Sequence, residues 1–210
     1  MRKITAIHVG SGRGKRVNVS LDGKFAFSLE AEVAVKEGLQ VGQELSTVQI
    51  GVMAKSNGFH RCLNAAAHYL SYRPRSEFEL RERLHRRGFD GDSIEAVIAK
   101  LKEQGVVDDM AFAQFWKDNR DSFSPRSRWL TRLELKRKGV AGDIIDHIVD
   151  AVNDEDSAYR AAQGKARSLP LSDYQSFQHR LGEYLKRRGF SYGVINRTAE
   201  RIWQERGGSR

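Results

Sequence analysis

The chain is poor in the residues that staple, anchor or catalyse. Of 210 residues one is cysteine, Cys62, so no internal disulfide can form, and such sparse thiol usage suits a reducing cytoplasm. No apolar run is long enough to span a bilayer and no secretory apolar stretch opens the sequence, which predicts a soluble, cytoplasmic protein without membrane contact. The six histidines are scattered. His60 and Cys62, two residues apart on a helix, point in different directions, and no second pair completes a metal site. No carboxylate pair stands out from ordinary helix-surface charge. These absences predict no metal, no cofactor and no catalytic residues: a binding protein, not an enzyme.

One stretch tempts otherwise. Gly10-Ser-Gly12-Arg-Gly14-Lys15-Arg16 resembles a phosphate loop, but its spacing is wrong and no Ser or Thr follows Lys15. It also runs into the strand-like Arg16-Val-Asn-Val-Ser-Leu21, not into a helix N-terminus that could cradle phosphate. A flexible basic hairpin tip is the better reading.

What the chain does have is repetition. Leu84-His-Arg-Arg-Gly88, Leu135-Lys-Arg-Lys-Gly139 and Leu185-Lys-Arg-Arg-Gly189 place their glycines 51 and 50 residues apart. Pro74-Arg75-Ser76 and Pro125-Arg126-Ser127 share the first offset. A period of this length marks stacked supersecondary units, each too thin to bury its apolar face alone.

The first segment differs from the rest. Ile4, Ile7 and Val9, then Val17, Val19 and Leu21, then Phe25, Phe27 and Leu29 alternate as half-buried strands do. Asp22-Gly23 between the last two runs is a hairpin turn signal, because a type I′ turn needs positive φ. Residues up to 58, punctuated by Gly38, Gly42, Gly51 and Gly58, read as short helix and loop.

From about residue 60 the period is helical. Leu63, Ala66, Ala67 and Leu70 form one stripe; Phe78, Leu80 and Leu84 a second; Ile94, Val97, Ile98 and Leu101 a third. Phe112, Phe115, Trp129, Leu133, Ile144, Ile145, Ile148 and Val152 repeat the scheme. Ala161, Ala162, Leu181, Leu185, Val194, Ile195, Ile202 and Trp203 repeat it again. Each Leu-x-x-x-Gly ends a helix at a left-handed glycine, and Ser76 with Glu79 three residues later reads as a capping box.

The predicted fold is therefore mainly α: three tandem three-helix repeats in an elongated, curved array, preceded by a small β-rich N-terminal domain. The expected boundaries are 1–58 for that domain and 59–108, 109–156 and 157–210 for the repeats.

The formal net charge is +9, a balance that favours a polyanion or an acidic protein surface as partner. By segment, in the order of those boundaries, it is +3, +1, −2 and +7. Cations at helix C-termini are stabilised by the helix dipole, about 0.3–1 kcal/mol each, which alone accounts for the position of the three basic phrases. The third helices of the first two units carry Asp92, Glu95 and Glu103, and Asp143, Asp146, Asp150 and Asp154, so they are poor readers of a DNA groove. That of the last unit, with Asn196, Arg197, Arg201, Gln204 and Arg206, is compatible with weak direct DNA binding.

Tyr69-Leu-Ser-Tyr-Arg-Pro-Arg-Ser-Glu-Phe-Glu-Leu80, Leu84-His-Arg-Arg-Gly-Phe89 and Val107-Asp-Asp-Met-Ala-Phe112-Ala together resemble the RecX family of bacterial recombination regulators. Ile4-Thr-Ala-Ile7 and Leu21-Asp-Gly-Lys-Phe-Ala-Phe-Ser-Leu29 resemble that family's longer members. The likeness weakens in the third unit, where Ser172-Asp-Tyr-Gln-Ser176 replaces the Pro-Arg-Ser phrase. The resemblance implies a non-enzymatic, monomeric modulator of the RecA recombinase in DNA repair, recombination and the SOS response. Such a modulator binds RecA and the RecA–DNA filament and suppresses ATP hydrolysis, filament growth and strand exchange. The partner-binding candidates among the repeated arginines are Arg73, Arg75, Arg126, Arg128 and Arg132. Those in the basic last unit are Lys186, Arg187, Arg188, Arg197 and Arg201.

Overall fold

The computed structural model describes residues 1–10 and 16–207, so the expected basic tip at residues 11–15 lies outside the described residues. The chain divides into two compact bodies: Met1–Arg73 with Leu80–Val106, and Pro74–Glu79 with Val107–Arg210.

The first body opens with β1 (Arg2–Val9), β2 (Arg16–Leu21) and β3 (Lys24–Glu30), then α1 (Ala31–Lys36), β4 (Glu44–Leu45) and α2 (Thr47–Leu70). The strands form one antiparallel sheet in the order β3-β2-β1-β4. Asp22 and Gly23 take φ of 51° and 80°, the two left-handed residues that a type I′ turn requires. Ile4, Val19, Leu21 and Leu29 bury together with Val33 of α1, Leu45 of β4 and Met53 of α2.

Strict alternation fails at Phe25, which is 67% exposed. The β2–β3 register slips between Val19 and Ser20, pairing Phe25 with Ser20 while Phe27 pairs with Val19. The bulge turns Phe25 to the other face of the sheet.

The expectation of loop around Gly51 and Gly58 is also corrected. A full capping box starts α2: Gln49 N donates to Ser46 Oγ at 3.1 Å, and Ser46 N donates to Gln49 Oε1 at 2.8 Å. Asn57 of α2 accepts from Glu30 N at 2.9 Å, tying the helix to the end of β3. Packing of this kind outweighs the ~1 kcal/mol that each interior glycine costs a helix. The buried stripe of α2 is Cys62, Ala66 and Tyr69, whereas Leu63 and Leu70 are half-buried and Ala67 is exposed.

Eight helices follow: α3 (Glu77–Arg86), α4 (Gly91–Glu103), α5 (Asp109–Phe123), α6 (Arg128–Arg137), α7 (Gly142–Asp150), α8 (Asp154–Ala166), α9 (Tyr174–Lys186) and α10 (Tyr192–Glu205). They complete three triplets, α2–α4, α5–α7 and α8–α10. The middle triplet buries Phe112, Leu135, Val140, Ile145, Ile148 and Val149; the last buries Phe177, Leu181, Leu185, Ile195, Ile202 and Trp203. Trp129 was expected in the middle core but is 62% exposed. It lies at the start of α6 beside Gly189, whose added Cβ would stand 3.2 Å from the indole.

The Leu-x-x-x-Gly phrase is a Schellman ending, used three times. Gly88, Gly139 and Gly189 have φ of 81°, 73° and 85°. The residue after each glycine donates its N–H to the leucine carbonyl: Phe89 to Leu84, Val140 to Leu135 and Phe190 to Leu185, at 3.4, 3.3 and 3.4 Å.

In the second body the two repeated phrases prove to be halves of one joint. Ser76 Oγ donates to the carbonyl of Lys138 at 2.6 Å, and Asp109 Oδ1 accepts from Glu77 N at 2.8 Å. Lys138 Nζ reaches Glu79 at 2.6 Å, and Phe78 covers Gly139 so closely that an added Cβ would stand 2.3 Å from its Cβ. The same scheme recurs a period later. Ser127 N donates to the carbonyl of Arg188 at 3.0 Å, Asp154 Oδ1 accepts from Arg128 N at 2.6 Å, and Ser127 and Leu130 cover Gly189. Each Pro-x-Ser helix start therefore seats on the glycine-ended helix of the following triplet. The last triplet has no such phrase, and Asp173 caps α9 with bonds from Gln175 N and Ser176 N alone.

Candidate interaction surface

The three basic phrases place their side chains in a common way. The leucine points into a core, the middle two residues are exposed, and the residue before the glycine lies on an aromatic ring. Arg87 Cζ is 5.8 Å from the centre of the Tyr69 ring, Lys138 Nζ 4.0 Å from that of Trp116, and Arg188 Cζ 3.8 Å from that of Tyr184. The cation nearest the glycine thus touches a ring in all three; Lys138 and Arg188 are half-buried there, while Arg87 is exposed.

Most of the arginines singled out from the sequence are held by acceptors of their own chain. On α6, Arg128 pairs with Asp150 and Arg132 with Asp146, and Arg128 Nε also donates to the Val149 carbonyl at 2.9 Å. The acidic α7 thereby offsets the basic α6. Arg197 pairs with Glu155 of α8, and Arg201 pairs with Glu205 at 2.8 Å while lying 3.8 Å from the Tyr159 ring centre. Arg206 donates to the carbonyls of Ala166 and Leu169.

Arg126 approaches Glu134 at 3.9 Å, and Nε of both Arg126 and Arg188 is buried without a hydrogen-bond acceptor. Burial lowers the pKa of Arg188, with the charges of Arg126 and Arg187 adding to it against a raising pull from Tyr184. Arg73 and Arg75 are half-buried, and each is engaged in contacts. Lys186 and Arg187 remain exposed; Lys186 makes only a 3.7 Å pair with Glu183 and a 5.9 Å approach to the Tyr192 ring.

Sequence reasoning missed the basic group at the end of α3. Arg83, Arg86 and Arg87 line a cleft with His68 and Tyr69 of α2, and no carboxylate among the described residues pairs with these three arginines. The i, i+4 spacing of Arg83 and Arg87 was visible as one helix face, but the approach of that face to Tyr69 is a tertiary fact.

Cys62 is fully buried, and burial, with the charge of Asp90 adding to it, pushes its thiol up to about 11. It is protonated at neutral pH and acts as a small packing residue. Among the described residues no group of three His, Cys, Asp or Glu could hold a metal ion, and no helix is long and apolar enough to cross a membrane.

Comparison with known proteins agrees with this architecture. Family models match three stretches: the regulatory protein RecX N-terminal domain over residues 2–46, the RecX first three-helix domain over 62–101, and the RecX third three-helix domain over 153–198. The regulatory protein RecX of Clostridium botulinum (strain Eklund 17B / Type B) is 32% identical over 200 residues, which cover 93% of each chain. The chain belongs to the RecX family. The RecX of Clostridium perfringens (strain 13 / Type A) is 30% identical over 207 residues, 96% of this chain and 97% of that one.

Two RecX crystal structures share the fold. One has a TM-score of 0.67 at 24% identity, covering 95% of this chain and all of the other. RecX from Lactobacillus salivarius has a TM-score of 0.59 at 23% identity, covering 70% of this chain and 97% of its own. RecX is a regulatory family, and α5–α7 lie in sequence between the two matched three-helix domains.

Proposed function

We propose that this RecX-family regulator binds the RecA recombinase and the RecA–DNA filament, as a cytoplasmic monomer, and restrains RecA's ATP hydrolysis, filament growth and strand exchange. The observation that carries the reading is membership of a regulatory family over nearly the whole chain. The repeat architecture supports it. Three-helix units with cores of their own suit binding a partner better than enclosing a reaction centre. The exposed Lys186 and Arg187 and the +7 charge of residues 157–210 suit an acidic protein face or filament DNA and would speed encounter.

DNA binding through α10 alone has less support. Arg197, Arg201 and Arg206 each rest on an acceptor of this chain, so a phosphate would have to displace existing bonds. The deciding measurement is RecA's single-strand-dependent ATP hydrolysis with purified protein added from substoichiometric to excess, at several salt concentrations. Inhibition that rises with added protein and weakens with salt is expected. An unchanged rate at excess across that range refutes the reading.

A further inference from the structure

The cleft at the ends of α2 and α3 gathers three arginines that no carboxylate among the described residues pairs with. Its volume is about 450 Å³, and its walls are His68, Tyr69, Arg83, Arg86 and Arg87. Arg128, Arg132, Arg197 and Arg201 meet carboxylates, whereas Arg83 and Arg87 meet a phenol. Arg87 donates to Tyr69 Oη at 3.1 Å, Arg83 Cζ stands 5.0 Å from the Tyr69 ring centre, and Arg86 Nε donates only to the Glu82 carbonyl at 3.3 Å. Burial works to raise the pKa of Tyr69, but the hydrogen bonds and charges of Arg87 and Arg83 outweigh it and bring the phenol below its ordinary value. Three guanidinium groups converging without an anion repel one another, and an anion entering the cleft would relieve that repulsion.

The helix dipole accounts for cations at Arg83 and Arg86 in the last turn of α3 and at Arg87 just beyond it, but not for the aromatic wall. At the rim, Tyr72 is 70% exposed, its ring edge-on to His68 at 5.1 Å with its hydroxyl 3.3 Å from His68 Nε2. An exposed ring resting on His68, one of the cleft's walls, beside a group of arginines matches the chemistry of a nucleotide: a tetrahedral phosphate with several acceptor oxygens, and a base with a π-face. A protein carboxylate would be satisfied by one guanidinium fork and has no use for the ring.

We propose that this cleft binds single-stranded nucleic acid, with Arg83, Arg86 and Arg87 holding a backbone phosphate and Tyr72 stacking a base. The site stands independently of the RecA reading, because its test contains no RecA.

The test is fluorescence anisotropy of a labelled oligo-dT titrated with the full-length protein and its variants, at several salt concentrations. Arg83→Ala/Arg86→Ala should weaken binding about tenfold or more and lower the log–log salt slope by about two. Tyr72→Ala should weaken it about fivefold or more with little change of slope. Circular dichroism checks the fold, and should the double variant unfold, Arg86→Glu decides, since its side chain bonds only within α3. The proposal is overturned if the protein leaves oligo-dT unbound at low salt, or if these variants bind it as tightly as the parent. It is equally overturned if they keep DNA affinity and lose only an effect on RecA, which would make the cleft a protein-docking site.

Discussion

Gly88, Gly139 and Gly189 hold the same left-handed position at three helix ends, yet they do not bear the same load. At each, an L side chain costs about 1–2 kcal/mol from backbone strain. Around Gly88 the space is open among the described residues. At Gly139 an added methyl would stand 2.3 Å from Cβ and 2.5 Å from Cγ of Phe78, and no rotamer change moves the Cβ. At Gly189 it would meet Ser127 Oγ at 2.6 Å and Leu130 Cβ at 2.8 Å. Overpacking of this kind adds about 1–3 kcal/mol. Thermal unfolding of the three Gly→Ala variants should therefore show a modest loss for Gly88→Ala and clearly larger losses for Gly139→Ala and Gly189→Ala. Equal losses would mean that the joints yield without cost. The same difference explains why repetition in sequence is an incomplete guide: one letter recurs three times, but its neighbour changes from solvent to side chain.

The start of α6 depends on a serine with no exposed surface. Ser127 Oγ accepts from Leu130 N at 3.1 Å while its own N–H bonds the Arg188 carbonyl, so the residue caps one helix and grips the end of another. Ser191 stands at the corresponding place before α10, but its side chain makes no capping bond. Ser127→Ala should cost about 1–2 kcal/mol in urea unfolding and Ser191→Ala only a few tenths, a contrast that propensity alone would not produce. If both cost the same, the capping bond is not the source of the stability.

At this scale much was legible in the sequence, because the relevant signals are local. Asp22-Gly23 fixed a turn, Leu-x-x-x-Gly fixed three helix ends, and Pro-Arg-Ser fixed two helix starts. What lay beyond reach was pairing at a distance. The expected partner-facing role of Arg126, Arg128 and Arg132 rested on charge, while the carboxylates they meet, Glu134, Asp150 and Asp146, come from the same and the following helix. The Tyr69 cleft was invisible for the converse reason: its members lie on two helices, and only their packing reveals that no carboxylate among the described residues answers Arg83, Arg86 and Arg87.

In the second body two cores stand side by side in sequence, one around Phe112 and Leu135 and one around Phe177 and Leu181, each closed within its own triplet. Between the residues of these triplets run the bonds of a joint: Ser127 to Arg188, Arg128 to Asp154, and the cover over Gly189. Hydrogen bonds of this kind contribute about 0.5–1.5 kcal/mol each, so the joint couples its neighbours without fusing them, as in other repeat proteins. Leu181 is fully buried, and Leu181→Ala removes about 2–5 kcal/mol from the last core. Two tryptophans report separately: Trp203 is buried in the last core, while Trp116 packs against the middle one. In single-tryptophan proteins carrying Leu181→Ala, Trp203 fluorescence should change at lower urea than Trp116 fluorescence. Coincident transitions would show that the joint exceeds the deficit and that the triplets unfold as one, in which case the seated serine and glycine, and not the separate cores, set the stability of the array.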